Sequence, residues 1–277
     1  MELLMGNTEG ALESENVYTK QQRIAKLAKQ MPDAGFTSLA YYVDLKWLKE
    51  GYRRTRKDGA AGVDDVTAAQ YEVDLENNLS LLLERFKSGS YFAPPVKRAY
   101  IPKEVGGEPI RPIGIPTLED KILQRAVVML LTPLYEQDFL DCSYGSRPGR
   151  NAHQALEALW RAIMGMGSVC WVLEADIKSY FDTVKHEYLR EFYKKRVRDG
   201  VVTRVLGKWL KAGVMEDGAL HYPKEGTPQG GVISPLFANI YLHEVLDVWF
   251  EREVRPRLEG RAELIRFSDD FVIVFSN

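Results

Sequence analysis

Asp269 and Asp270 stand side by side between Leu264-Ile265-Arg266-Phe267 and Phe271-Val272-Ile273-Val274-Phe275. Two runs rich in β-branched and aromatic residues around a short polar break predict strand, tight turn, strand. Neighbouring carboxylates are costly to hold together: at about 4 Å they repel by roughly 4 kcal/mol at an effective dielectric near 20. A divalent cation relieves that cost, and hard oxygen donors favour Mg²⁺ or Mn²⁺. Taken alone, the pair also reads as a solvent-exposed turn, since Asp is a common turn residue. A third acid shifts the balance. The apolar run 169–175 predicts a buried strand that ends in Asp176. Asp182, with Thr183, has a structural duty as cap of the next helix, whereas Asp176 has none. Three carboxylates converging on one sheet surface can hold two metal ions about 3.5–4 Å apart for in-line phosphoryl transfer.

The elements around these acids must bring them together. After Asp176 come a helix bearing Val184, Tyr188 and Phe192, and a short hairpin over 215–222 that turns at Asp217-Gly218. A helix follows, capped by Ser234 and opened by Pro235, with Leu236, Ile240, Leu246 and Trp249 as its inner stripe. The acidic hairpin then completes a β-α-β-β-α-β order, the split βαβ arrangement. In that arrangement the ends of two central strands lie side by side, so Asp176 and Asp269 could meet.

Upstream, residues 1–17 lack periodicity, and helical spacing begins near Lys20 with Ile24, Leu27, Ala28 and Met31. A second helix carrying Leu39 to Leu48 runs into Arg53, Arg54, Arg56 and Lys57 and then the glycine-bearing loop 58–64. That basic run suits phosphate contact, and reads equally well as a solvated helix face. The third helix is expected over 68–87. Strand-like runs 96–101 and 110–115 predict a hairpin that places Lys103 and Arg111 within reach of a triphosphate. Arg147 and Arg150 lie in the loop 143–150, ahead of a helix over 151–164. A helical basic surface is expected from Lys194, Lys195, Arg196, Arg198, Arg204, Lys208 and Lys211 around Asp199. Gln229-Gly230-Gly231 is a backbone that another molecule can approach closely.

At 277 residues the chain can bury a large core, with 45% hydrophobic and 27% charged residues and a net charge of −2. Two cysteines, Cys142 and Cys170, have no metal-type spacing and argue for a reducing compartment. The start of the chain is not a signal peptide, and no apolar run is long enough to span a bilayer. A soluble cytoplasmic protein without membrane contact is therefore expected. The four scattered histidines offer no zinc pattern, and no Gly-x-x-x-x-Gly-Lys phosphate loop anchors an ATPase reading.

Five ordered blocks carry a more specific signal: Ile101-Pro102-Lys103, Arg111-Pro112-Ile113-Gly114-Ile115-Pro116-Thr117, and the stretches 143–154, 176–182 and 227–242. Together with the acidic pair they resemble a reverse transcriptase, and within that group the group II intron-encoded enzymes (maturases). The resemblance covers roughly residues 35–277. It implies an α+β right-hand polymerase with fingers and palm: an N-terminal extension over 1–34, fingers over 35–168 with a β-hairpin, and a palm over 169–277. The palm would be a split βαβ, ferredoxin-like antiparallel sheet with packed helices. The thumb would be absent, so the chain is expected to be a fingers-palm portion, weakly active or inactive by itself, whose open palm surface offers a homodimer contact.

By the same resemblance Asp176, Asp269 and Asp270 are catalytic, and two Mg²⁺ ions (or Mn²⁺) are expected at Asp176, Ile177 and Asp269. Lys103 and Arg111 would grip the incoming dNTP, Phe181 would be the steric gate beneath its sugar, and Gln229 and Gly230 would line its pocket. Arg147 would help hold the RNA template with its DNA primer, and Arg53, Arg54, Arg56 and Lys57 would bind structured intron RNA. The usual Tyr-Ala-Asp-Asp appears here as Phe267-Ser268-Asp269-Asp270. The alternatives are an RNA-binding splicing cofactor with weak polymerase activity, and a retron, diversity-generating or defence enzyme.

Overall fold

The computed structural model describes residues 16–102, 110–167, 171–223, 225–227 and 230–276. Helix α1 (Val17–Gln30) starts where the Asn16 side chain accepts the Thr19 N–H. A 3₁₀ turn (Leu39–Tyr42) leads into α2 (Leu45–Arg54), capped by Asp44. The single helix expected over 68–87 is two, α3 (Ala68–Glu72) and α4 (Leu75–Ser88), because the chain breaks helical geometry at Asp74. Strands β1 (Val96–Pro102) and β2 (Ile110–Ile115) form the expected hairpin and lead to α5 (Leu118–Tyr135) and α6 (Ala152–Gly165). Then come β3 (Trp171–Asp176), the short α7 (Tyr180–Thr183), α8 (His186–Arg196) and α9 (Gly200–Leu210). The hairpin β4 (Val214–Glu216) and β5 (Ala219–His221) precedes α10 (Ser234–Leu242), and β6 (Ala262–Phe267) with β7 (Asp270–Phe275) forms the acidic hairpin.

The fold is α+β, with two sheets. One has the order β2-β1-β4-β5, the other β3-β7-β6. The middle hairpin therefore does not join the acid-bearing sheet as a split βαβ requires: β4 pairs parallel to β1 through Val96–Val214 and Lys97–Met215. Its turn is formed as expected, with Asp217 and Gly218 both at positive φ, as tight two-residue hairpins demand.

Most of the buried apolar side chains belong to one core, built around Trp47, Leu123, Leu130 and Leu206. The acid-bearing sheet is covered by α6 on one face, through Ala155, Ala162, Ile265 and Val274. The helical segment after α10 covers the other, through Leu246, Phe250 and Leu264. Strand β3, expected to be buried, is instead an edge strand that exposes Trp171, Val172 and Leu173. An apolar run looks alike at the centre and at the edge of a sheet, and only the pairing partner on its second side tells them apart.

Beyond α10 the helix widens into π turns at His243–Asp247 and Phe250–Val254. Each extra residue turns later side chains by about 100° relative to a regular α-helix. Trp249, expected inside, is thereby half exposed, and Phe250 is buried in its place. Among the described residues no helix is long and apolar enough to cross a membrane.

Candidate active site

The hairpin β6–β7 turns through Ser268 and Asp269, with Phe267 and Asp270 paired across it. On its other side β7 pairs with β3, and the last register pair is Asp176 with Asp270. Sheet pairing thus sets two carboxylates side by side on one face, with Asp269 next to them in the turn. Glu174, two residues before Asp176 and so on the same face of β3, adds a fourth acid that sequence reading passed over. Burial raises the Asp270 carboxyl above the usual range, and the charges of Asp269, Asp176 and Glu174 raise it further. A cavity of about 380 Å³ opens beside Glu174, Asp176 and Asp270, walled by Leu156 and Leu159 of α6.

These donors suit a hard divalent cation: carboxylate oxygens on adjacent strands whose mutual repulsion a cation would relieve. Among the described residues, however, no three metal-ligating side chains are gathered closely enough to hold an ion. Ile177 packs its side chain toward the main core, so any contribution from that position falls to its backbone.

Beneath the turn lies a polar scaffold that sequence reading missed. Arg266 is wholly buried, and its five N–H donors are all used. Nε and Nη2 each donate to Asp247 at 2.7 Å, and Nη2 also donates to Ser143 Oγ at 2.8 Å. Nη1 donates to Asn239 Oδ1 at 3.1 Å and to the carbonyl of Ser268, in the turn itself, at 2.8 Å. The Asn239 amide in turn donates to the Gly145 carbonyl at 2.9 Å. The one available signal was the arginine itself: Arg266 alternates with Leu264 on the core face, where a charge needs a buried partner.

The chain 142–145 runs alongside β6, with Arg266 N donating to Cys142 O and Tyr144 N to Arg266 O. This brings Gly145 directly under the acidic turn. A Cβ at Gly145 would lie 2.5 Å from Ser268 Oγ and closer still to the Ser268 backbone nitrogen. Gly145→Ala is therefore expected to displace the turn and lower catalytic rate roughly tenfold to a hundredfold, since a shift near 1 Å costs on that scale; steady-state kinetics alongside thermal melting would show it. Ser146, Ser179 and Ser268 all hold positive φ close to these acids, a conformation that costs non-glycine residues energy.

The expected nucleotide-side residues are partly assembled. Phe181 lies half-buried, edge-on to Tyr180 at 5.4 Å, and its carbonyl accepts the Thr227 N–H at 2.7 Å. Gly230 has φ +107°, and a Cβ there would fall 2.8 Å from the Gly114 carbonyl. The loop before α10 thus touches both Phe181 and β2, the strand that contains Arg111. Gln124 steadies the far end of that loop: it accepts the Ile233 N–H at 3.1 Å and donates to Asp120 at 2.9 Å. Lys103 and Gln229 lie outside the described residues, as does the side chain of Arg111.

The proposed nucleic-acid contacts fare differently. Arg147 is buried rather than in solvent: it donates to Glu136, to the carbonyls of Leu140 and Ser143, and stacks on Phe139. The loop folds back on the end of α5, which leaves this guanidinium as an internal brace. Arg53 and Arg54 both pair with Glu50, and Arg56 pairs with Asp58. Lys57 donates to the Tyr52 and Thr55 carbonyls at the end of α2. Asp182 does not cap α8, whose N-cap residue is Lys185 with no side-chain capping bond, and Ser234 begins α10 rather than capping it.

Acids thus stand at the shared end of paired strands, and the loop before α10 packs on Phe181 and β2. The family model for reverse transcriptase (RNA-dependent DNA polymerase) matches residues 101–277, and the chain belongs to that family. It is 40% identical over 254 residues to Protein YkfC of Escherichia coli (strain K12), covering 89% of this chain and 65% of that protein. It is 36% identical over 247 residues to the group II intron-encoded protein LtrA of Lactococcus lactis subsp. cremoris, covering 86% of this chain and 40% of that one. The chain thus spans less than two thirds of the length of these relatives. Among solved structures, a partial Cas6-RT-Cas1–Cas2 complex superposes with a TM-score of 0.53 at 22% identity, over 87% of this chain and 39% of that one, a likeness of fold alone. Reverse transcriptases generally use divalent metals.

Proposed function

We propose that this chain is the fingers-palm portion of a group II intron-encoded reverse transcriptase, which extends a DNA primer on an RNA template and binds its intron RNA as a maturase. The register pair Asp176–Asp270, with Asp269 in the adjoining turn, carries this reading. In the reaction, the primer 3′-oxygen bonds to the α-phosphorus of a dNTP. The α–β bridging P–O bond breaks, and pyrophosphate leaves. Mg²⁺ or Mn²⁺ bound at Asp176 and Asp269 would supply neutralisation of the phosphate charge. Asp270, whose carboxyl already feels its neighbours, keeps the field at the turn negative. Lys103 and Arg111 on the β1–β2 hairpin would hold the triphosphate tail. Gln229 and Gly230, on the loop that touches β2, would border the base and sugar. Self-association would use the open face of β3 and α6, where Trp160 and Trp171 are exposed.

Phe181 would lie under the sugar and exclude a 2′-hydroxyl. Phe181→Ala is expected to raise ribonucleotide incorporation at least about tenfold relative to dNTPs, since removing a steric wall releases roughly 1–3 kcal/mol of discrimination. Single-nucleotide insertion on an RNA–DNA hybrid measures this, and an unaltered ratio removes the gate role.

A further inference from the structure

Part of the basic surface expected from residues 194–211 lines a groove of about 510 Å³ between α8, α9 and the segments 92–95 and 211–222. Arg190 and Lys194, four residues apart, share one face of α8. Arg204, Lys208 and Lys211 share one face at and just beyond α9. All five cations line the groove, and among its described lining residues there is no acid. The other side of the same run is neutralised, with Lys195 paired to Glu244 and Arg196 to Asp138. Lys194, Arg204 and Lys211 form no salt bridge among the described residues, unlike the Arg53–Arg56 cluster, where every arginine has an acid.

A solvated basic face has no use for aromatic rings, yet Phe92 and Tyr222 line this groove while 73% and 66% exposed. Cations along a concave track with sequence-tolerant stacking platforms are the chemistry that holds a single nucleic-acid strand. None of these residues borders the cavity beside Asp176 and Asp270.

We infer that the groove between α8 and α9 is a second nucleic-acid site, which takes a single-stranded RNA segment with phosphates on Lys194, Arg204 and Lys211 and bases on Phe92 and Tyr222. Only the choice of RNA over DNA rests on the function proposed above. The test is fluorescence anisotropy with an end-labelled oligouridylate of about 20 nucleotides, in EDTA, across about 50–200 mM salt. Replacing Lys194, Arg204 and Lys211 together by Gln should lower the slope of log K against log salt by about 2 and weaken binding at least tenfold, at roughly 0.7 per phosphate lost. Phe92→Ala with Tyr222→Ala should weaken RNA binding roughly tenfold and leave inorganic polyphosphate binding unchanged. These five side chains are exposed, so melting temperatures should match the parent. A salt slope equal to the parent's, or RNA affinity unmoved by the aromatic pair, overturns the assignment. Because binding is read without divalent ions, it stands or falls separately from primer extension.

Discussion

Asp269→Asn is expected to reduce primer extension by roughly a thousandfold or more, because metal-based charge stabilisation is worth several kcal/mol and each 1.36 kcal/mol is tenfold in rate. The change keeps the shape of the side chain. It leaves the Phe267–Asp270 pairing and the Gly145 contact in place, so the hairpin should persist. Stability should hold or rise. The Asp270 carboxyl is raised by burial, and then by its acidic neighbours. An acid whose pKa is higher in the folded state costs that state once pH passes the folded pKa, and the cost is absent below the unfolded value. Removing the Asp269 charge shrinks that cost at neutral pH. Extension lost with the melting temperature kept assigns the residue to chemistry; extension retained removes it from the reaction.

The second large effect concerns the buried pair under the turn. Asp247→Ala should destabilise the protein by about 3–5 kcal/mol, since it strands the wholly buried Arg266 without its counter-ion. Replacing both, as Asp247→Leu with Arg266→Met, should recover most of that loss, because apolar isosteres often substitute for a buried pair at little cost. Activity should not recover with it. The bonds from Arg266 to Ser268, Asn239 and Ser143 are gone in the double variant, and the acidic turn loses its anchor. Denaturant unfolding and steady-state kinetics separate the two quantities: stability near the parent's, with kcat down roughly tenfold to a hundredfold and KM little changed. A double variant with full kcat would reduce the pair to a folding element.

The acids themselves were legible in the sequence. Strand-turn-strand patterning located Asp269 and Asp270, and a strand end without a capping duty singled out Asp176. The hairpins at Asp217-Gly218 and over 96–115 were legible too, since turn chemistry is local. What escaped was set by partners distant in sequence. The burial of β3 depends on whether another strand lies on its open side, and the sheet joined by β4 depends on the edge offered by β1. Arg147 looks like any arginine, and Arg266 shows only its core-facing place in β6, until the acid that receives each is known, and that acid lies 11 or 19 residues away. The basic run at 53–57 illustrates the converse: its acids, Glu50 and Asp58, were visible in the sequence, but only geometry shows that they are engaged.

The π turn at His243–Asp247 has a corollary for how this segment tolerates change. Side-chain replacements on its outer surface alter little, but excising a single residue would tighten the coil to ordinary pitch and swing its carboxylate about 100° off the arginine it serves. Here the number of residues between α10 and Asp247, and not only the identity of Asp247, decides whether that carboxylate meets Arg266.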